Sequence, residues 1–261
     1  MGILNVTPDS FSDGGEYLHG AAAAGHARAM AAAGAVIIDV GAESTRPGAT
    51  PVGAEVEIAR LAPVLRALSS AVPTVPLSVD TRDATVARVA IDAGAVLVND
   101  VSAGGDPAML PLVAERGVGI CLMHMQGEPP TMQDDPRYGD VVSEVATFLE
   151  ARMGAAVRAG VAEEAIVVDP GIGFGKSLDH NLALLRGLGV IASLGRPVLV
   201  GASRKGMIGA LTGRGVAERL AGSLGAALAA VAAGASVLRV HDVAETVDAL
   251  RVFTEIRGGG A

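Results

Sequence analysis

Polar and charged residues stand at the C-terminal ends of eight short apolar runs in this chain of 261 residues. Carboxylates, amides and cations at such positions can bind a polar ring, an anion or a metal ion, provided that they meet in one place. The groups that follow the eight runs are Asn5, Asp39, Asp80, Asn99-Asp100, His124, Asp169, Gly201–Lys205 and Arg239–Asp242. A closed parallel barrel brings all eight strand exits to a single rim, so this spacing predicts one shared pocket.

Segments rich in Ala, Leu, Arg and Glu separate the apolar runs, and this composition favours helices. We predict helices near residues 20–34, 53–71, 82–94, 107–116, 139–160, 178–188, 216–233 and 243–256. Strands and helices that alternate, with wholly apolar strands, indicate a parallel sheet. Eight repeats favour an α/β protein with a (β/α)8 TIM barrel, in one domain over residues 1–261, and an open doubly wound sheet is the alternative.

The composition limits the partners that the chain could bind. A net charge of −8 argues against nucleic acid and anionic membranes, because both attract a basic surface. No apolar run approaches the roughly 20 residues of a membrane span, although the mean hydropathy is +0.46. The first residues also lack the basic segment of a signal peptide, so we expect a cytoplasmic protein. The single cysteine, Cys121, lies in an apolar run and predicts a buried thiol.

Two loops near the N-terminus carry candidate ligands. In the first loop, Asn5 can offer a neutral oxygen to a hard cation, and a turn stabilised by its own Asx side chains is the alternative. In the second loop, Thr45 and Arg46 can clamp a carboxylate or another anion, and Asp39 can orient a cation there. A solvated surface arginine remains the alternative for Arg46.

Only six residues are aromatic, so their positions carry information. Phe11 and Phe174 lie in Gly-rich loops outside the periodic segments. They are either ordinary loop anchors or the walls of a pocket for a flat substrate.

Three acidic or amide groups at strand ends suit the edge of an amino-pyrimidinone ring such as guanine or pterin. A carboxylate at Asp80 or Asp169 can accept two parallel N–H bonds, and Asn99 can both donate and accept. Helix N-caps are the alternative, because Asp and Asn often begin the helix that follows a strand. That alternative is strongest for Asp100.

Glycines precede Lys176 in the run Gly-Ile-Gly-Phe-Gly-Lys, but neither the P-loop spacing nor the dinucleotide-binding spacing is present. Ser203, Lys205, Arg239 and His241 follow the last two predicted strands, where barrels of this type usually bind phosphate. A Schiff base on Lys205 is possible, but the neighbouring Arg204 and an anionic ligand favour a charged lysine.

Taken in order, these motifs resemble the dihydropteroate synthases of the bacterial folate pathway over nearly the whole chain, from Met1 to about Ile256. The resemblance implies a Mg²⁺-dependent transferase that condenses 6-hydroxymethyl-7,8-dihydropterin diphosphate with 4-aminobenzoate. Its products would be 7,8-dihydropteroate and diphosphate. It also implies a sulfonamide target and a homodimer. The apolar faces of the last two predicted helices, residues 220–231 and 243–256, are candidates for the dimer interface, and packing onto the barrel is the alternative. Relatives usually carry residues before the first strand, so we expect a less complete seal at the base of the barrel.

The resemblance also implies a role for individual residues. Asn5 would bind Mg²⁺, and catalysis would involve Asp39, Asp80, Lys205 and Arg239. The pterin site would comprise Asp80, Asn99, Met123, Asp169, Lys205 and Arg239. The diphosphate site would comprise Asn5, Arg239 and His241. The 4-aminobenzoate site would comprise Phe11, Thr45, Arg46, Pro47, Phe174, Ser203 and Lys205.

Two alternatives share part of this pattern. A pterin-binding methyltransferase would use a similar Asp and Asn site, but the Thr45-Arg46-Pro47 loop and the Ser203-Arg204-Lys205 triplet favour the synthase. A pterin-binding module without activity would not need Asn5, Arg239 and His241 together. No Ser-His-Asp or Cys-His signature is present, which fits a reaction that needs no side-chain nucleophile.

Overall fold

Strands and helices alternate along the part of the chain that the computed structural model describes, which is residues 1–6, 16–43 and 52–258. The strands are Gly2–Asn5 (β1), Ile38–Gly41 (β2), Leu77–Asp80 (β3), Ala95–Asp100 (β4), Gly119–Met123 (β5), Ile166–Asp169 (β6), Leu199–Val200 (β7) and Val237–Leu238 (β8). The α-helices are Glu16–Ala32 (α1), Ala54–Ala71 (α2), Ala84–Asp92 (α3), Met109–Arg116 (α4), Val141–Arg158 (α5), Leu178–Arg186 (α6), Leu188–Ala192 (α7), Gly206–Thr212 (α8), Leu220–Ala232 (α9) and Val243–Ile256 (α10).

The strands form a closed ring. Strands β1 to β6 pair in sequence order, and β7 pairs with β8, all in parallel. A bridge between Val168 and Val198 joins β6 to β7, and a bridge between Gly2 and Val240 joins the end of β8 to β1. The predicted TIM barrel is therefore confirmed.

Alternate residues of each strand face opposite sides of the barrel wall. Outward residues such as Ile38, Val79 and Leu122 are fully buried in the main core, which fills the space between strands and helices. Inward residues form a smaller apolar cluster around Met1, Cys121 and Leu199. The polar candidates lie further along the same strands with the same inward parity, which places them above this apolar floor.

Dedicated caps begin several helices. Asp83 accepts hydrogen bonds from the N–H groups of Thr85 and Val86 at the start of α3, and Asp140 serves α5 in the same way. Ser177 and His180 form a reciprocal capping box at the start of α6. These helices therefore do not take their caps from the last residues of the preceding strands.

The structure differs from the predicted elements at the bounds of α1 and β2 and in two additional helices. Helix α1 begins at Glu16 rather than near residue 20, and β2 continues beyond Asp39 to Gly41. Helices α7 and α8 were not predicted, because each is too short to show a periodic pattern and α8 contains two glycines, which lower helix propensity. None of the helices in the described ranges is long and apolar enough to cross a membrane.

Candidate active site

Arg239 lies at the centre of the polar rim. Its Nε donates to Asp39 Oδ2 at 2.6 Å, and its Nη2 donates to Asp80 Oδ2 at 2.7 Å. Asn99 Nδ2 donates to the same oxygen of Asp39 at 3.0 Å. The exits of β2, β3, β4 and β8 are thus joined in one hydrogen-bonded network.

Burial sets the charges of this network. It raises the pKa of Asp80 to about 7, an effect that Arg239 opposes and Asp39 reinforces. Burial acts to lower the pKa of Arg239, but Asp39 and Asp80 outweigh it and keep that pKa raised. Asp39 is completely buried, and its other oxygen, Oδ1, accepts no hydrogen bond from the described part of the chain. We interpret Asp39 as the group that orients Arg239.

Asp169 occupies a second position on the rim, beside Met123 in the strand register. Both side chains are buried. Asp169 Oδ1 accepts a hydrogen bond from the N–H of Gly171 at 2.7 Å, which turns the chain away from β6. Burial raises the pKa of Asp169 to about 6, and the N–H of Gly171 and the nearby Lys205, Lys176 and Arg239 oppose that rise.

The third group follows β7 and β8. Lys205 Nζ lies 4.0 Å from the centre of the Phe174 ring, in cation–π contact. Ser203 Oγ and His241 Nδ1 are 3.0 Å apart, and the backbone N–H of His241 also points to Ser203 Oγ. The same side of the rim therefore offers a cation over an aromatic ring and a hydroxyl–imidazole pair.

Arg204 separates Ser203 from Lys205 and has a left-handed backbone, with φ of 58°. Its guanidinium makes a bidentate contact with Asp242, its backbone N–H donates to Ser223 Oγ, and its carbonyl accepts a bond from Arg219. A non-glycine residue in this conformation is strained, so several contacts must hold it in place.

Most predicted site residues in the described ranges come together on the rim. Asn5, at the end of β1, pairs with Gly41 in the same register layer as Asp80. Asp100 does not join the network, because its oxygens accept bonds from Ser102 and Gly104 and hold the turn before α4. Four predicted residues lie outside the described ranges: Phe11, Thr45, Arg46 and Pro47.

Two buried residues were given no role from the sequence. Lys176 is 3% exposed, and its Nζ lies 2.9 Å from His124 Nδ1. Burial lowers the pKa of Lys176 to about 7, and burial together with Lys176 lowers the pKa of His124 to about 3. The strand-exit pattern already includes His124, like Asp169, without giving it a role, whereas only the failed P-loop comparison draws attention to Lys176.

A closed (β/α)8 barrel whose C-terminal rim gathers carboxylates, an amide and several cations defines a barrel enzyme with a pocket for a polar, anionic ligand. The family model for pterin binding enzymes matches residues 1–241. Dihydropteroate synthase of Escherichia coli strain K12 is 49% identical over 252 residues, which cover 97% of this chain and 89% of that protein. This chain belongs to the dihydropteroate synthase family of pterin-binding enzymes.

Solved structures agree with this assignment. Xanthomonas albilineans dihydropteroate synthase with 4-aminobenzoic acid superimposes with a TM-score of 0.93 at 48% identity, over 99% of this chain and 93% of that one. The same synthase in complex with 7,8-dihydropteroate gives a TM-score of 0.89 at 45% identity, over 99% of this chain and 93% of that chain. The family and the function predicted from the sequence are confirmed.

Proposed function

We propose that the rim site joins 6-hydroxymethyl-7,8-dihydropterin diphosphate to 4-aminobenzoate, with Mg²⁺, and releases 7,8-dihydropteroate and diphosphate. The chain is a transferase of folate synthesis. The observation that carries the residue assignments is the position of Arg239, which binds Asp39 and Asp80 while its charge also acts on Asp169. Acceptors for a pterin and cations for a diphosphate thus share one rim.

The pterin lies, in this proposal, against Asp169, Asn99 and Asp80. A carboxylate at Asp169 would accept N–H groups of the amino-pyrimidinone edge, and Met123 would supply apolar contact from the neighbouring strand. Asp169 must be ionised to accept two such bonds, and the nearby Lys205 and Arg239 favour that form.

The diphosphate lies towards His241, Ser203 and Arg239. The bond between the pterin methylene carbon and the diphosphate oxygen breaks, and its electron pair leaves with the diphosphate. The methylene carbon then bonds to the amine nitrogen, which gives up a proton to the released diphosphate. Asp80, held by Arg239 at 2.7 Å, offers negative charge near a methylene that becomes cation-like. Exclusion of water would prevent water from reacting with the methylene carbon in place of the amine.

The residues present fit a Mg²⁺ ion that is bound mainly through the diphosphate. Within the described ranges, no group of three His, Cys, Asp or Glu side chains is placed to hold one. Mg²⁺ often takes one or two protein oxygens and fills its other positions with phosphate oxygens and water, so Asn5 alone would suffice beside a diphosphate. When bound, Mg²⁺ would neutralise charge on the leaving group.

The second substrate, 4-aminobenzoate, would lie against Phe174, Lys205 and Ser203. The 4.0 Å contact between Lys205 and the Phe174 ring supports this part of the site. Phe11, Thr45, Arg46 and Pro47 are assigned to it by family resemblance only. Sulfonamides, which mimic 4-aminobenzoate, are expected to compete there.

We also propose a homodimer in the cytoplasm. Support for the dimer comes from α10, where Val252 is 60% exposed and Ile256 is 79% exposed, and from exposed small residues on the adjacent α9 such as Ala221 and Gly225. Light scattering coupled to gel filtration tests this assembly. A mass of one chain at micromolar concentration would refute it.

Turnover of the purified chain tests the activity. Diphosphate release and dihydropteroate formation are expected only when both substrates and Mg²⁺ are present, and a sulfonamide should slow both. Removal of Mg²⁺ with EDTA should stop turnover, and added Mg²⁺ should restore it. Ligand binding without turnover would favour the inactive pterin-binding module, and methyl transfer to a corrinoid would favour the methyltransferase.

A further inference from the structure

We infer that Lys176 is a positioning residue whose buried amine fixes the turn that presents Phe174 to Lys205, and that it thereby sets the affinity for the aromatic amine substrate. This inference rests on the proposed function, because it assumes that 4-aminobenzoate binds at Phe174. The relevant turn comprises residues 171–175, between β6 and α6.

Three acceptors surround the amine of Lys176. Its Nζ lies 2.9 Å from the carbonyl oxygen of Phe174, 3.3 Å from the carbonyl oxygen of His124 and 2.9 Å from His124 Nδ1. Below its pKa of about 7 the amine is an ammonium group, which has three N–H donors and no acceptor, so it can satisfy all three partners. His124 must then be neutral, with Nδ1 unprotonated, and its lowered pKa agrees with that state.

The turn packs directly on the chain that leaves β5. A Cβ atom added to Gly171 would lie 1.9 Å from the carbonyl oxygen of His124, and one added to Gly175 would lie 2.2 Å from that of Gln126. Both glycines also have positive φ, which side chains disfavour. Lys176 therefore secures a close backbone contact that only glycine permits.

Lys176 acts on Phe174 and on Asp169 in different ways. The carbonyl of Phe174 accepts a bond from Lys176 directly, whereas Asp169 is fixed by β6 and by the N–H of Gly171 at the start of the turn, and Lys176 acts on it only through its charge. Loss of the amine should therefore disturb the Phe174 wall more than the pterin acceptor. This difference separates a positioning role from a general loss of structure.

The test compares Lys176→Met with the wild type. Methionine keeps an unbranched chain of similar length and removes all three donors. We expect the KM for 4-aminobenzoate, and its Kd measured by calorimetry beside bound diphosphate, to rise about tenfold or more, while kcat/KM for the pterin diphosphate changes by less than about threefold. If Lys176→Met does not fold, Lys176→Gln, which keeps two N–H donors, takes its place with a smaller shift in the same direction.

Tyr138→Phe is the matched control. The Tyr138 hydroxyl donates to the carbonyl of Gly175 at 2.9 Å, in the same turn but not at Phe174. We expect this variant to change neither KM by more than about twofold. Absence of turnover in the wild type would overturn the proposed function. Two results in an active wild type would overturn this inference alone. One is that Lys176→Met affects both substrates equally, and the other is that Tyr138→Phe raises the KM for 4-aminobenzoate as much as Lys176→Met does.

Discussion

Asp39 and Arg239 are separated by 200 residues of sequence, yet Arg239 Nε donates to Asp39 Oδ2 at 2.6 Å. Asp39 is completely buried, and Asn99 Nδ2 donates to the same oxygen. Removal of one member of a buried ion pair leaves the other uncompensated, which costs about 3–5 kcal/mol. The pair therefore both orients the site and stabilises the closed ring of strands.

Arg239→Met should lower the free energy of unfolding by about 3–5 kcal/mol and abolish measurable turnover, because two buried carboxylates lose their partner. Urea denaturation measures the first effect. A second substitution, Asp39→Asn, should recover part of the stability in the double variant, since it removes one uncompensated charge.

Arg116→Met is the control for this experiment. Arg116 pairs with Asp92 at the surface, where the exposed fractions of the two side chains are 30% and 54%. Surface pairs contribute about 0–1 kcal/mol, so this variant should keep both stability and turnover. Equal losses of stability in Arg239→Met and Arg116→Met would contradict the role of the buried pair.

Asp169→Ala should abolish pterin binding, because the N–H groups of the ring edge would be buried without an acceptor, at a cost of about 1–3 kcal/mol or more. Calorimetry with the pterin substrate gives the affinity directly. Asp83→Ala removes a different acid, the cap of α3, and should cost about 1 kcal/mol of stability without affecting the pterin. Near-normal pterin affinity in Asp169→Ala would refute the assignment.

The inward residues of the rim could be predicted because strand side chains alternate with a period of two. Asp39, Asn99, Asp169 and Arg239 each end an apolar run with the parity that faces the barrel interior. Eight such exits fit a closed barrel, and a closed barrel has only one rim at the C-terminal ends of its strands. The gathering of these side chains follows from pattern and fold class alone.

The partners within the rim could not be predicted. Arg239 meets Asp39 and Asp80 across 200 and 159 residues, and the choice among several acids depends on the stagger of the strands. Asp100 follows Asn99 directly but has the opposite parity, and it binds its own turn instead. Lys176 gave no sequence signal because its acceptors are two backbone carbonyls and a histidine from another loop.

Glu57 predicts a dependence of stability on pH. This residue of α2 is 3% exposed, its Oε1 has no hydrogen-bond partner among the described residues, and burial raises its pKa to about 7. The folded protein therefore holds a proton that the unfolded chain loses near pH 4.5. Stability should fall as the pH rises from about 4.5 to 7, because the native state binds more protons in that range.

Glu57→Gln removes this buried charge. The variant should be more stable than the wild type at pH 8, by up to about 3 kcal/mol, and nearly equal to it at pH 4.5. Urea denaturation at the two pH values measures the difference in the free energy of unfolding between variant and wild type. Asp80 and Asp169 are present in both proteins, so their effects cancel in this difference. A difference between the two proteins that does not change with pH would show that Glu57 is ionised in the folded state throughout.

Arg204 and Asp242 join the exits of β7 and β8 through a bidentate contact that runs beside the Ser203–His241 pair. Asp242→Asn keeps the shape of the side chain but removes the charge that holds the strained backbone of Arg204. We expect kcat/KM for the pterin diphosphate to fall about threefold to tenfold, which corresponds to roughly 1 kcal/mol. Steady-state kinetics at saturating 4-aminobenzoate measure this loss.

Arg204→Gly removes the cation of the same ion pair with Asp242. It also relieves the backbone strain, because glycine adopts a φ of 58° without strain. Stability should change little, since relief of strain offsets the lost ion pair, whereas kcat/KM should fall as in Asp242→Asn. Glu218→Gln, which breaks the exposed pair with Arg214, should leave both quantities unchanged. Full activity in Arg204→Gly would mean that the backbone conformation alone places Ser203 and Lys205, without help from Asp242.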